Sequence, residues 1–200
     1  MNFAYGEKEI NYLSERDPIL GAYIAEVGLL SRRIWISPLE ALINSIVGQQ
    51  ISTKAQESIW HRLLACLGEV TAESIAAQSA EDLRACGLSN RKVEYIQEAA
   101  TRTLTGEFDW RHLARYDDEG LIQHLTALRG VGRWTVEMLL MFSLARFNVL
   151  SYDDLAIRRG ICRLYGWDNV DKKQFERLRK RYSPYGSVAS LYLWHKANDG

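Results

Sequence analysis

Two short runs hold groups able to do chemistry. Gly130-Val131-Gly132, followed by Arg133, forms a glycine turn between two segments of helical periodicity, and Asp153-Asp154 stands one helix further on, where another helix should begin. Glycines permit positive φ and leave no Cβ between backbone and ligand. The first N–H groups of the helix that follows have no carbonyl one turn behind them, so an anion can sit there. Arg133 adds a cation beside that site. A carboxylate one helix later can stabilise developing positive charge or activate a water. A turn that holds a phosphate, followed by such an acid, suggests an enzyme that anchors DNA and works on one nucleotide. Each run also has a plainer use. A glycine can stop a helix before an ordinary αα turn, and an Asp ahead of Leu-Ala-Ile is a good N-cap.

The elements that must position these groups read as helices. In SPLEALINSIVGQQ (37–50), Leu39, Leu42, Ile43, Ile46 and Val47 recur at three- and four-residue steps, with Ser37 as N-cap and Pro38 at the first helical position. Ser52 caps a second helix that Gly68 stops. Thr71 with Ser74, and Ser79 with Asp82, mark two short helices. The stretch 89–106 is a long helix capped at Ser89 or Asn90 and ended by Gly106. Further helices are expected near 118–127, 132–146, 154–165, 171–181 and 184–196. No alternating strand pattern with hairpin turn chemistry occurs, so the class is all-α. Short loops between helices of ten to seventeen residues point to a compact orthogonal bundle.

The bulk numbers set limits. A chain of 200 residues with 47% hydrophobic content and three prolines is an ordinary globule of one domain or two small lobes. No apolar run reaches the ~18–20 residues needed to cross a bilayer, and the polar start lacks a signal-peptide core, so no membrane and a cytoplasmic location are expected. Cys66, Cys86 and Cys162 fit neither a disulfide framework nor a zinc or iron–sulfur spacing and read as buried thiols. His61, His112, His124 and His195 have no metal-like spacing. The net charge is zero, but residues 155–200 hold ten Lys/Arg against four Asp/Glu. That asymmetry fits one basic face turned to nucleic acid, or simply solvated basic helices such as 172–181.

The run LRGVGRWTVEMLLMFSLARFNVLSYDDLAIRRG resembles the helix-hairpin-helix and catalytic-aspartate signature of the monofunctional alkylbase DNA glycosylases, the 3-methyladenine-DNA glycosylase II family. SPLEALINSIVGQQIST (37–53) is similar to the family's upstream helix and base-gap loop, CGLSNRKVEYIQEAA (86–100) to its next signature, and SLYLWHKA (190–197) to its C-terminal helix. The matches run in the family's order from about residue 37 to 197. The resemblance implies one catalytic unit over 1–200, a monomer whose partner is damaged duplex DNA. One helical lobe would span about 38–146 and carry the hairpin. Residues 1–37 with 147–200 would form the other, with the cleft between hairpin and Asp154 and without the extra N-terminal β-domain of some relatives. The location is then the nucleoid of a bacterium or the nucleus of a eukaryote.

Residue roles follow from the same resemblance. Asp154 falls on the catalytic aspartate, and Asp153 reads as its structural neighbour. Breaking an N-glycosidic bond leaves positive charge on the sugar, which a carboxylate stabilises. Trp134 stands where bifunctional members carry a lysine. Tryptophan cannot form a Schiff base, so hydrolysis to an abasic site without strand cleavage is implied. The hairpin residues Gly130, Val131, Gly132, Arg133 and Thr135 would bind a phosphate. The backbone carbonyls of Thr126, Leu128 and Val131 would ligate a structural Na+ or K+, with no cofactor required. Gln49, Gln50 and Ser52 would contact DNA, with Gln50 in the wedge position that fills the gap left by the flipped base. Trp134 and Trp194 match pocket positions, where aromatic faces attract a cationic alkylated purine, with Met138 and Leu155 beside them. Ordinary core packing is the other use of each tryptophan. His195 follows Trp194 and would border the pocket.

Several positions depart from the family. Gln50 replaces the apolar wedge of one branch, Tyr152 stands where proline is frequent, and Leu155 and Met138 replace aromatics seen in some pockets. Two rival readings stay open: a glycosylase for deaminated or mismatched bases on the same scaffold, and a non-catalytic helix-hairpin-helix module that only grips DNA.

Overall fold

Residues 2–35 and 37–199 are described by a computed structural model. Among them the chain forms twelve α-helices and one 3-10 helix, with a single isolated antiparallel bridge between Asn2 and Arg33 and no strand. The fold class is all-α, as the periodicity requires. None of these helices is long and apolar enough to cross a membrane.

The chain divides into two compact units. One holds residues 35–139; the other holds residues 1–34 together with 140–200. In the first, α3 (Pro38–Gly48), α4 (Thr53–Leu67), α5 (Ala72–Ala76), α6 (Ala80–Ala85), α7 (Asn90–Leu104) and α8 (Asp118–Leu125) pack round Leu42, Ile43, Ile46, Leu63, Ile75, Leu83 and Ile96, all fully buried. The caps are those the sequence announces. Ser37, Ser52 and Ser89 each accept an N–H of the first turn, and Thr71/Ser74 and Ser79/Asp82 form reciprocal capping boxes. A 3-10 helix, Trp110–Arg115, precedes α8.

The other unit contains α1 (Glu7–Arg16), α2 (Pro18–Val27), α10 (Leu155–Tyr165), α11 (Lys172–Tyr182) and α12 (Gly186–Asn198). The first two were not anticipated. Their signal was Asp17-Pro18: the Asp17 carboxyl caps α2 by accepting the Leu20 N–H at 3.1 Å, with Pro18 at the first helical position. Helix α12 is buried along nearly its whole length, including Val188, Ala189, Tyr192 and Leu193, and so shows no polar face. Helix α10 crosses it at Gly160, where a Cβ would stand 2.0 Å from the Leu193 carbonyl oxygen. The glycine buys close approach of two backbones, which no other residue permits.

Helix α9 (Arg133–Phe142) carries the chain from one unit to the other. It ends four residues earlier than the periodicity suggests, because Ala145 takes a left-handed φ of 50° and the Arg146 N–H turns back to the Leu140 carbonyl at 2.9 Å. All three cysteines are free; Cys86 is buried, while Cys66 and Cys162 are only half-buried, less enclosed than expected.

Candidate active site and nucleic-acid interface

The glycine turn joins α8 to α9 as a hairpin. The Val131 N–H donates back to the Leu128 carbonyl at 3.2 Å, and the Gly132 carbonyl accepts the Val136 N–H at 3.2 Å, making Gly132 the cap of α9. The N–H groups of Gly132, Arg133 and Thr135 therefore have no carbonyl one turn behind them, and this is where an anion would sit. The two glycines serve different ends. Gly130 has φ +78°, and a Cβ there would stand 2.0 Å from the Tyr95 ring. Its smallness serves packing against α7, not a ligand. At Gly132 a Cβ would meet nothing within 4 Å, so that side of the turn is open. Val131 is buried, as a plug between two helices must be.

Other hairpin residues are more committed than the sequence suggested. The Arg133 guanidinium pairs with Glu119 and, at 3.0 Å, with Glu137. A phosphate would have to share it with two carboxylates. Thr135 is buried to 3% exposure, so its side chain is not presented to a ligand at the surface. Met138 is buried, and Trp134 is half-buried.

The loop after α3 lies against this hairpin. The Gln49 side-chain amide donates to the Gly130 carbonyl at 2.9 Å. Gln49 has φ −58° and ψ 128°, and Gln50 follows in a turn with φ +59°, the left-handed region where glycine is usual. Gln50 is exposed. The Lys92 ammonium, from α7, donates to the carbonyls of Val47 at 2.8 Å and Gln49 at 2.9 Å. Ser52 spends its hydroxyl on the cap of α4.

In the other unit, Asp154 is 7% exposed and is the N-cap of α10, its Oδ1 accepting the Ile157 N–H at 2.9 Å. The cap role expected of an Asp here thus falls on Asp154 itself, while Asp153 is exposed. The segment leading to it is pinned from behind. Ser187 Oγ accepts the Val149 N–H at 3.0 Å, Ser190 Oγ donates to the Val149 carbonyl at 3.0 Å, and Arg179 donates twice to the Leu150 carbonyl. Trp194 is half-buried and stacks obliquely on Phe142, ring centroids 5.4 Å apart. The Arg32 guanidinium lies over the opposite partner of that pair, 4.8 Å from the Phe142 centroid. Leu155 is 69% exposed, so it presents its side chain to solvent instead of lining a wall of its own unit. His195 is tied to the Tyr23 hydroxyl at 2.6 Å.

The candidate residues thus fall into two groups. Gln49, Gln50, Ser52, Thr126, Leu128, Gly130, Val131, Gly132, Arg133, Trp134, Thr135 and Met138 belong to one unit; Asp154, Leu155 and Trp194 belong to the other. Lys92, Tyr95, Phe142, Arg32 and Glu119 were not singled out by the sequence. Lys92 and Tyr95 do lie in the motif stretch 86–100, but nothing in their spacing tells that they reach residues 49 and 130.

Comparison with known proteins places the chain in a family. Residues 43–184 match the family model described as HhH-GPD superfamily base excision DNA repair protein. The chain is 36% identical over 162 residues to DNA-3-methyladenine glycosylase 1 of Schizosaccharomyces pombe, covering 78% of this chain and 71% of that protein. Among solved structures, a Bacillus halodurans DNA-3-methyladenine glycosidase superposes with TM-score 0.86 at 35% identity, covering 98% of this chain and 92% of the other. The S. pombe 3-methyladenine DNA glycosylase in complex with abasic DNA superposes with TM-score 0.85 at 34% identity over 94% and 95% of the two chains. The hairpin, the acid-capped helix after it and these likenesses together establish that the chain belongs to the HhH-GPD superfamily of base excision DNA repair proteins.

Proposed function

We propose that the protein is a monofunctional DNA glycosylase that hydrolyses the N-glycosidic bond of alkylated purines in duplex DNA, of the 3-methyladenine and 7-methylguanine type, leaving an abasic site. The observation that carries this reading is Asp154, a buried carboxyl held at the start of α10 one helix after the hairpin. The hairpin N–H groups take a phosphate, and the target nucleotide leaves the stack at a cost of a few kcal/mol, less at a damaged pair. An alkylated purine carries a positive charge and leaves without being protonated. As the bond breaks, positive charge grows on the sugar, and the Asp154 carboxylate stabilises it and orients the attacking water. Trp134 offers no amine for a Schiff base, so borohydride should trap no covalent DNA adduct. The enzyme works wherever the cell keeps its DNA, the nucleoid or the nucleus.

The carbonyls of Thr126, Leu128 and Val131 are hard, uncharged oxygen donors of the kind a Na+ or K+ ion takes, and the Leu128 carbonyl keeps a second lone pair beside its bond to Val131. Such an ion, when bound, adds positive charge beside the phosphate. The residues themselves stiffen the turn.

The test is release of methylated bases by Asp154→Asn. A loss of at least about 100-fold at saturating enzyme is expected; wild-type release overturns the reading. DNA binding without base release by the unaltered protein would favour a gripping module instead. One observation supports a second substrate class. The Arg32 cation over Phe142, the partner of Trp194, disfavours a cationic base on that aromatic pair and suits a neutral one such as hypoxanthine. A panel of 3-methyladenine, 7-methylguanine, hypoxanthine and uracil duplexes separates the two.

A further inference from the structure

The stretch 86–100 has no assigned task in the reaction, yet α7 touches both DNA-facing elements of its unit. Tyr95 fills the space that a side chain at position 130 would need, and Arg129 lies over the Tyr95 ring at 5.9 Å while pairing with Glu94 at 3.0 Å. One turn earlier, Lys92 reaches the end of α3 and bonds the carbonyls of Val47 and Gln49. Those are carbonyls at a helix C-terminus, where the outgoing chain has no further turn to satisfy them and where the helix dipole favours a cation. Gln49, so held, bonds the hairpin through Gly130. Directly after these ties stands Gln50 at φ +59°, a conformation that is costly for a side-chain-bearing residue and persists only where its surroundings impose it.

We propose that Lys92 is a positioning residue for base extrusion: by holding the Val47 and Gln49 carbonyls it imposes the left-handed turn at Gln50 and locks the wedge loop to the hairpin as one rigid piece. The loop then meets DNA already formed, and no binding energy is spent on ordering it. Ammonium-to-carbonyl bonds are charge-assisted and stronger than neutral ones. Partial burial draws the Lys92 ammonium below the usual lysine range, but two carbonyls at hydrogen-bond distance suit its protonated form. Lys92 touches no reacting atom in this scheme. It acts through Gln50, and the inference rests on the glycosylase reading above.

The experiment compares wild type, Lys92→Met, Lys92→Arg and Gln50→Ala on 7-methylguanine in two settings: a full duplex, and the same strand with an abasic site opposite the lesion, where little pairing has to be broken. Under single-turnover conditions Lys92→Met should lose about tenfold or more in rate on the full duplex and under threefold opposite the abasic site. Lys92→Arg, which keeps two donors, should stay within about threefold of wild type on both. The double variant Lys92→Met/Gln50→Ala should be no slower than the worse single. Equal losses of Lys92→Met on both substrates, or additive losses in the double variant, overturn the proposal, as does a full-duplex rate equal to wild type. If Lys92→Met does not fold, Lys92→Gln, which is shorter and uncharged but keeps a polar end, carries the same comparison. A wild type that releases no base from either substrate refutes the glycosylase reading instead.

Discussion

The carboxyl of Asp154 accepts the backbone N–H of Ile157 at 2.9 Å, so the residue assigned to the chemistry is also the one that starts α10. The two duties can be separated by choice of substitution. Asparagine caps a helix about as well as aspartate, whereas alanine forfeits the cap at about 0.5–2 kcal/mol. Asp154→Asn should therefore unfold within about 0.5 kcal/mol of wild type and be inactive in base release. Asp154→Ala should be equally inactive and less stable by about 1 kcal/mol. Denaturant melts of both variants check this; an Asn variant as destabilised as the Ala variant would mean that the carboxylate charge itself holds the helix.

The two hairpin glycines should behave differently. Gly130→Ala meets the Tyr95 ring and forces a β-carbon onto φ +78°, so it should destabilise the protein by at least about 2 kcal/mol. Gly132→Ala meets nothing and should leave the melting temperature almost unchanged, while DNA affinity falls several-fold because the new methyl stands on the open side of the turn. Thermal melts paired with binding to undamaged duplex read both effects. Normal DNA binding by Gly132→Ala would count against the phosphate site.

Arg133 should matter less to DNA affinity than an unpaired arginine at a hairpin. Its charge is already shared by Glu119 and Glu137. Each phosphate contact made by a free cation adds close to one to the slope of log K against log salt. Arg133→Gln should lower that slope by clearly less than one, and Glu119→Gln should raise affinity by releasing the guanidinium. Titrations at four salt concentrations test it.

Stability at acid pH should turn on Asp17. Burial opposes its ionisation, but hydrogen bonds from Tyr165, Arg181 and the Leu20 N–H outweigh that and hold its carboxyl below the usual range. A carboxyl depressed in the folded state adds stability above the unfolded pKa of about 3.9, and that stability is lost as pH falls through the lower folded value. Wild type should therefore lose stability as the pH falls below about 4. Asp17→Asn should be less stable at pH 7 by about 2–3 kcal/mol, with a flatter acid limb. Melts from pH 7 to 3 measure both; parallel acid limbs would remove Asp17 from the account.

The helix caps and the periodicity were legible from residue types alone, because Ser37, Ser52, Thr71, Ser79 and Ser89 act on N–H groups two or three positions away. The glycine turn and the acid after it were legible for the same local reason. Helices α1 and α2 went unread although Asp17-Pro18 marked a start, and the end of α9 was misplaced because the turn at Ala145 has no residue signature.

By itself the sequence determined most of the helices from residue 37 onward, where the glycine turn stands and which carboxyl follows it, since these depend on neighbours along the chain. Only the tertiary structure decided that Gly130 is small for the sake of Tyr95, that Arg133 is already paired, that the Asp154 carboxyl is buried, and that Lys92 holds the loop bearing Gln50. Those relations join residues far apart in the chain. Packing brings them together, and no spacing within a helix or a turn encodes it.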